Sequence, residues 1–364
     1  MSTDTGATAD TSPLSGVVSE DLDAIVERST EPLGRLRGTT VLVAGAAGFL
    51  PSYVVDALVR SNERMPGQPC RVLCLDNFAT GLAARLTHLE GRDDVSFVRG
   101  DVSQPLEVEE HVDYILHGAS IASPTWYRRF PLETIDVNVG GTRNLLELAR
   151  EHDARGFLYL SSSEIFGDPP PERVPTTEDY WGNVSATGPR APYDESKRLG
   201  ETLCMTYFRQ YGTPVKLVRP FNVYGPGLRL DDGRVVPDFI ANALAGGPIT
   251  LLSDGSATRS FCYVSDFVVG LLHLLVADAG GEAFNLGNDE EVQIRQVAET
   301  VAEAAGGLTV ELGTSADPLY LTDNPQRRCP DLTKAKATID WAPSVSLKSG
   351  LTRTLAHYRA EAGQ

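Results

Sequence analysis

From residue 39 to about residue 225, short unbroken apolar runs alternate with stretches spaced like helices. Residues 39–44 are β-branched or apolar almost throughout, which predicts a strand buried on both faces. Residues 71–75, 95–99, 114–117, 157–160 and 215–218 repeat that pattern. Between them, 53–60, 137–150 and 193–211 predict helices, the second from the spacing of Val139, Leu145, Leu146 and Leu148. Pro192 suits the opening of the third, where a missing N–H does no harm. Strands alternating with helices predict an α/β fold, a Rossmann-type doubly wound parallel sheet over 39–225. From 226 to 355 the pattern loosens into Gly, Pro and Asp with short apolar pieces, so a smaller C-terminal lobe is expected, with 261–276 returning to the main sheet. Residues 1–18 are rich in Ser, Thr, Asp and Gly and read as a disordered leader. Residues 19–38 read as a helical extension capped by Ser19, with Leu22, Ile25 and Val26 as its apolar face.

Composition narrows the function classes. The 364 residues are 41% hydrophobic and 22% charged, the balance of a soluble globular chain. The net charge of −17 opposes nucleic-acid and anionic-membrane binding. An anionic small ligand would need a local cluster of arginines. No apolar run is long enough to span a bilayer, and no secretory signal is visible. The five cysteines are scattered, with no C-x-x-C and no His cluster, so no metal is expected and a reducing cytoplasm is.

Two local patterns carry chemistry. Gly45-Ala-Ala-Gly48 follows the first predicted strand and leads into a helix, where bare backbone and a helix N-terminus suit a pyrophosphate. Asp76 ends the second strand, at the spacing where an acid binds ribose hydroxyls and repels a 2′-phosphate, which favours NAD over NADP. Tyr193 and Lys197, at i and i+4, share one face of a predicted helix. An ammonium beside a phenol lowers the phenol pKa from about 10 toward neutral, making it a base for a sugar hydroxyl.

With these pieces in order along one chain, the sequence resembles the extended short-chain dehydrogenase/reductases over about 39–355. The branch it is similar to is that of the nucleotide-sugar epimerases, dehydratases and decarboxylases. The matching pieces include Gly45–Phe49, Asp76-Asn-Phe78, Gly100-Asp101-Val102, His117-Gly-Ala119, Asn138-x-x-Gly-Thr142, Ser161-Ser-Ser-Glu164 and Arg219-Pro-Phe-Asn222. Tyr180-Trp-Gly-Asn-Val184, Asp232-Gly-Arg234, Thr258-Arg-Ser260 and Arg328-Cys-Pro-Asp331 look most like the UDP-glucuronate decarboxylases. The chain departs from the pattern at Pro51, where the family usually has Gly, at Phe166, often Tyr, and at Phe130, commonly polar.

The resemblance implies NAD held by Gly45, Gly48, Phe49, Leu50, Asp76, Asn77, Phe78, Thr80, Gly81, Asp101, Val102, His117, Ala119 and Asn138, together with Tyr193 and Lys197. It implies a UDP-sugar substrate held by Ser123, Pro124, Tyr127, Asn222, Arg234, Arg259 and Arg328, with the C-terminal lobe as the substrate-binding lobe. Tyr193 would deprotonate the sugar 4-hydroxyl, Lys197 would tune it, and Ser162 or Ser163 would bond the 4-oxygen. Glu164 and Arg328 would act near C5 and C6. A homodimer built on a four-helix bundle of 137–150 and 193–211 is also implied. Three alternatives stay open. A UDP-sugar 4-epimerase would share the oxidation but lack the acid at 164. A 4,6-dehydratase would carry Asp-Glu where this chain has Ser163-Glu164. A catalytically silent NAD-binding protein would not need the Ser/Tyr/Lys set.

Overall fold

The computed structural model describes residues 14–315, 322 and 324–363. The first strands form where predicted: β1 (Thr40–Ala44), β2 (Arg71–Asp76), β3 (Val95–Arg99), β4 (Tyr114–His117), β5 (Gly156–Leu160) and β6 (Val215–Pro220). With the strand Glu282–Leu286 they make one seven-stranded parallel sheet, ordered Glu282–Leu286, β6, β5, β4, β1, β2, β3. Thus β1 lies between β2 and β4, and the chain leaves it in opposite directions. The carboxyl ends of those strands open a crevice there, where doubly wound sheets bind ligands.

Helix bounds differ from the sequence pattern where caps and side-chain packing decide them. The helix after β1 starts at Phe49, directly after Gly48. The stretch 137–150 is not one α-helix. A π-helical turn, Asp136–Gly141, precedes the α-helix Thr142–Glu151. Any Cβ on Gly141 would lie 2.5 Å from Val102 Cγ2, so this wide turn runs tightly against the loop after β3. The long helix Ala191–Tyr211 ends on Gly212, whose left-handed φ of 73° closes it.

Residues 261–276 return to the main sheet by packing a helix on β5 and β6, not by adding a strand. Val264–Val276 is a helix whose residues are nearly all buried, and Cys262–Tyr263 pairs with Val223–Tyr224, outside the main sheet. The strand that joins the main sheet is Glu282–Leu286, which has only three buried positions, too short a signal to stand out in the sequence. The second lobe is built on the helices Val235–Leu244 and Ile294–Ala304. It also holds a three-stranded sheet in the order Glu291–Gln293, Thr258–Ser260, Arg327–Arg328.

At the start of the chain, residues 1–13 of the expected leader lie outside the described residues. The helix begins at Gly16, not at Ser19, because Ser15 is its cap and accepts from the Val18 amide at 3.3 Å. Ser19 lies inside the helix, where its hydroxyl accepts from Arg60. Leu22 and Ile25 are fully buried. Asp21 accepts from Tyr263 Oη at 2.7 Å and from Arg353 at 2.8 Å, and Ser15 meets His357 at 2.8 Å. One helix is thereby bonded to the strand residue Tyr263 and, twice, to the last helix, Leu347–Glu361. Among the described residues, no helix is long and apolar enough to cross a membrane.

Candidate active site

The turn after β1 has no room for a side chain at Gly45. Gly45 has φ 78°, and a Cβ there would lie 2.7 Å from the backbone N and Cα of Ala119. A Cβ on Gly81 would meet Ala47 at 2.8 Å and both Asp76 carboxylate oxygens at 3.1 Å. The cavity beside them is about 320 Å³, lined by Gly45, Gly48, Asp76, Asn77, Thr80, Gly81, Asp101, Val102 and Ala119 among others. Asp76 is oriented by its own backbone contacts: it accepts from the Ala47 amide at 2.9 Å and the Phe78 amide at 2.7 Å. A carboxylate has about four lone-pair sites, so two remain for ribose hydroxyls. Asp101 accepts from Asn77 at 3.0 Å and from Ser103 at 2.7 Å. A bare-backbone cradle at a helix N-terminus, with a carboxylate at the strand end, fits NAD.

Pro51 occupies the third position of the helix, where the N–H has no intrahelical partner in any case. Its ring uses the space that a side chain on residue 118 would fill. A Cβ on Gly118 would come within 2.6 Å of Pro51 Cγ. The departure at residue 51 is thus accommodated by a glycine across the gap.

Not every expected cofactor residue faces this cavity. Phe49, Leu50, Phe78, His117 and Asn138 do not line it. His117 is buried beneath the sheet, with Nε2 2.9 Å from Thr142 Oγ1 and its ring against Tyr159. Asn138 is fully buried and cross-braces the π-helical turn, donating to Ser196 at 2.9 Å and accepting from Ser120 at 2.7 Å. Their fixed sequence positions pointed to NAD, but their side chains are used in packing.

A second cavity, about 440 Å³, opens between the main sheet and the C-terminal lobe. Pro124, Tyr127, Glu164, Asn222, Arg234, Arg259 and Arg328 line it, and so does Arg190. Ser123 does not; its hydroxyl donates to Asp232 O at 3.1 Å and pins the segment that carries Tyr127.

Tyr193 sits between the cavities. Its ring stacks on Tyr127, centroids 5.1 Å apart and 11° from parallel, in a cluster with Ile121. Tyr127 faces the second cavity and Ile121 the first. Burial pushes the Tyr193 phenol up to about 12, and a hydrogen bond with Ser162 opposes the shift. This corrects the expectation of a phenol brought toward neutral by Lys197. The ammonium lies 5.9 Å from the centre of the Tyr193 ring and donates to Leu160 O at 2.7 Å. Burial has itself drawn Lys197 down to about 7. Of the two candidate serines, Ser162 is the one that bonds Tyr193. Ser162 also caps the turn Ser163–Phe166, accepting from the Glu164 amide at 3.1 Å, while Ser163 is buried at the start of that turn.

Glu164 is clasped between two guanidiniums. One carboxylate oxygen accepts from Arg328 and the other from Arg190. Those two charges hold the carboxyl down at about 2, against the opposing effect of burial. Arg328 also donates to Gly167 O at 3.1 Å, and its Nε is buried with no protein partner. Strand register sets Arg328 directly beside Arg259. Like charges facing across a strand pair are unfavourable for stability, and an anion between them would relieve the repulsion. Burial, with Arg328 nearby, pulls the Arg259 guanidinium down to about 10. Arg234 pairs with Asp232 at the rim. This is the local cationic cluster that an anionic ligand requires of so acidic a chain.

A profile of the NAD-dependent epimerase/dehydratase family matches residues 41–287. The chain belongs to the NAD-dependent epimerase/dehydratase family. Among curated relatives of this family, UDP-glucuronic acid decarboxylase 1 of Arabidopsis thaliana is 43% identical over 328 residues, covering 90% of this chain and 71% of the relative. Among solved structures, an epimerase from Methanothermobacter thermautotrophicus superposes with a TM-score of 0.79 at 27% identity, covering 93% of this chain and 97% of that one. UDP-glucuronic acid 4-epimerase from Bacillus cereus, solved in complex with NAD, superposes with a TM-score of 0.74 at 25% identity, covering 88% and 99%. As a member of this family the protein is an NAD-dependent enzyme of nucleotide-sugar modification. Arg190 had no assigned role from the sequence. Its position three residues before Tyr193 was the available signal, because one helical turn brings it onto the face of Tyr193 and Lys197.

Proposed function

We propose that this enzyme is a UDP-glucuronate decarboxylase that yields UDP-xylose. The observation that carries this reading is the clasp of Arg190 and Arg328 on Glu164, with Arg259 beside it, in the wall of the second cavity. Two guanidiniums and a third nearby, set against one carboxylate, leave positive charge for a sugar carboxylate and a diphosphate. The unpartnered Nε of Arg328 is a ready donor to the first.

Bound NAD supplies a hydride acceptor at C4 and a positive charge that favours the phenolate of Tyr193. Tyr193 takes the proton of the sugar 4-hydroxyl, with Ser162 bonded to the same oxygen. The resulting 4-ketone lies β to the C6 carboxylate. The C5–C6 bond breaks, CO₂ leaves, and the electron pair passes to the 4-oxygen as an enolate. Donors aimed at that oxygen, Tyr193 and Ser162, stabilise the charge. C5 then takes a proton from water, C4 is reduced again by the hydride removed in the first step, and Tyr193 returns its proton to the 4-oxygen. Glu164 and Arg328 hold the sugar at C5 and C6.

Incubation of the purified enzyme with UDP-glucuronate is expected to release CO₂ and one UDP-pentose, read by mass and by NMR of the sugar. A product of unchanged mass and inverted C4 favours the second reading, a 4-epimerase, which the likeness to the Bacillus cereus enzyme supports. We also propose a homodimer. Leu132 and Ile135 on the helix Pro131–Ile135, and Leu199 on Ala191–Tyr211, are exposed apolar residues on helices that pack together. Sedimentation at twice the chain mass is expected; a monomer at micromolar concentration refutes the dimer.

A further inference from the structure

Behind the clasp lies a carboxyl group that the reaction described above does not use. Asp194 follows Tyr193 on the long helix and is 5% exposed. Its Oδ1 is buried with no hydrogen-bond partner. Its Oδ2 is 3.7 Å from Arg190 Nε, beyond hydrogen-bond reach, while the other end of that guanidinium is given to Glu164. A buried carboxylate left without donors is costly, whereas a neutral carboxyl tolerates such a place far better. Burial and the Glu164 charge both push Asp194 upward, to about 7.

The groups around it are few. Arg190, Tyr193 and Glu195 come from its own helix or its start. Glu164 comes from the turn after β5, Arg328 from the edge strand of the second lobe, and Tyr127 from the segment over the cavity. Arg190, Arg328 and Glu164 sum to one positive charge. With Asp194 neutral, that charge is available to an incoming carboxylate. With Asp194 ionised, the clasp is already balanced, and only Arg259 beside it is left to attract a second anion.

We propose that Asp194 is a positioning residue that acts through Arg190: its neutral form keeps one uncompensated positive charge at the clasp, and that charge selects a substrate with a carboxylate at C6. The inference rests on the decarboxylase reading. It gives Asp194 a role in choosing uronate over neutral sugars, and it couples substrate binding to uptake of a proton at this group. Loss of the substrate carboxylate as CO₂ removes the partner anion and favours release of that proton.

The test is calorimetric binding of UDP-glucuronate and of UDP-glucose to the NAD-loaded enzyme between pH 6 and 9, with CO₂ release measured alongside. For the wild type, the Kd of UDP-glucuronate is expected to rise on the order of tenfold as pH increases through the Asp194 transition, while that of UDP-glucose stays level. Asp194→Asn, which keeps shape and neutrality, is expected to bind UDP-glucuronate with a Kd that no longer rises with pH. The wild-type comparison of the two sugars needs no variant, so poor folding of Asp194→Asn would not remove the test. An enzyme that releases CO₂ but binds both sugars with the same pH dependence overturns this inference alone. So does an Asp194→Asn variant that keeps the wild-type pH dependence. An enzyme that releases no CO₂ from UDP-glucuronate overturns the functional reading, and this inference with it.

Discussion

Tyr193→Phe lowers turnover by about 10²–10⁴-fold, the range lost when a positioned proton-transfer group is removed. The ring keeps its place, because the stack on Tyr127 and the cluster with Ile121 involve carbon atoms that phenylalanine retains. Thermal midpoint and NAD content are therefore expected to match the wild type. What disappears is the acceptor of the 4-hydroxyl proton, so no reduced cofactor should appear at 340 nm on mixing with UDP-glucuronate. A variant with wild-type turnover would remove Tyr193 from the chemistry.

The largest loss of stability is expected away from the cavities, at Asp266. This side chain is fully buried in the helix Val264–Val276. It accepts from Arg28, from the Ser344 amide and hydroxyl at 2.8 Å each, and from the Val345 amide at 2.8 Å. Its own carbonyl accepts from Trp341 Nε1 at 2.8 Å. One carboxylate therefore holds the N-terminal helix, the central helix and the 341–345 segment together. Asp266→Ala leaves these donors unpaired and the Arg28 charge without its partner, at a cost of about 3–5 kcal/mol. The urea midpoint is the measurement, and a change under 1 kcal/mol would mean that the hub can be rebuilt by its neighbours.

These two predictions differ in how far the sequence foreshadows them. Tyr193 stands four residues from Lys197, and Gly45 stands directly behind a buried strand, so local spacing exposes both. The parallel sheet was legible for the same reason: each strand is a short apolar run next to its own turn. Asp266 has no local signal. Its partners are 238 and 78 residues away. Arg190 is similar, because its clasp on Glu164 closes only when the helix Ala191–Tyr211 docks beside the turn after β5. His117 and Asn138 show a different limit. A motif does not tell which way a side chain turns, and here Thr142 and Ser196 capture theirs. The phenol of Tyr193 shows the same limit for energetics. An i, i+4 spacing places two residues on one face but does not say how dry that face is.

The matched family segment starts at residue 41, after the helix Gly16–Arg28 has ended. That helix is an integral layer of this molecule, with Leu22 and Ile25 buried and Asp21 tied to Tyr263 and Arg353. A chain started at residue 41 would bare the apolar surface that Leu22 and Ile25 cover and leave Arg353 without Asp21, and its tendency would be to aggregate. The practical unit for expression, grafting or swapping between relatives therefore begins before Ser15, well upstream of the nucleotide-binding turn.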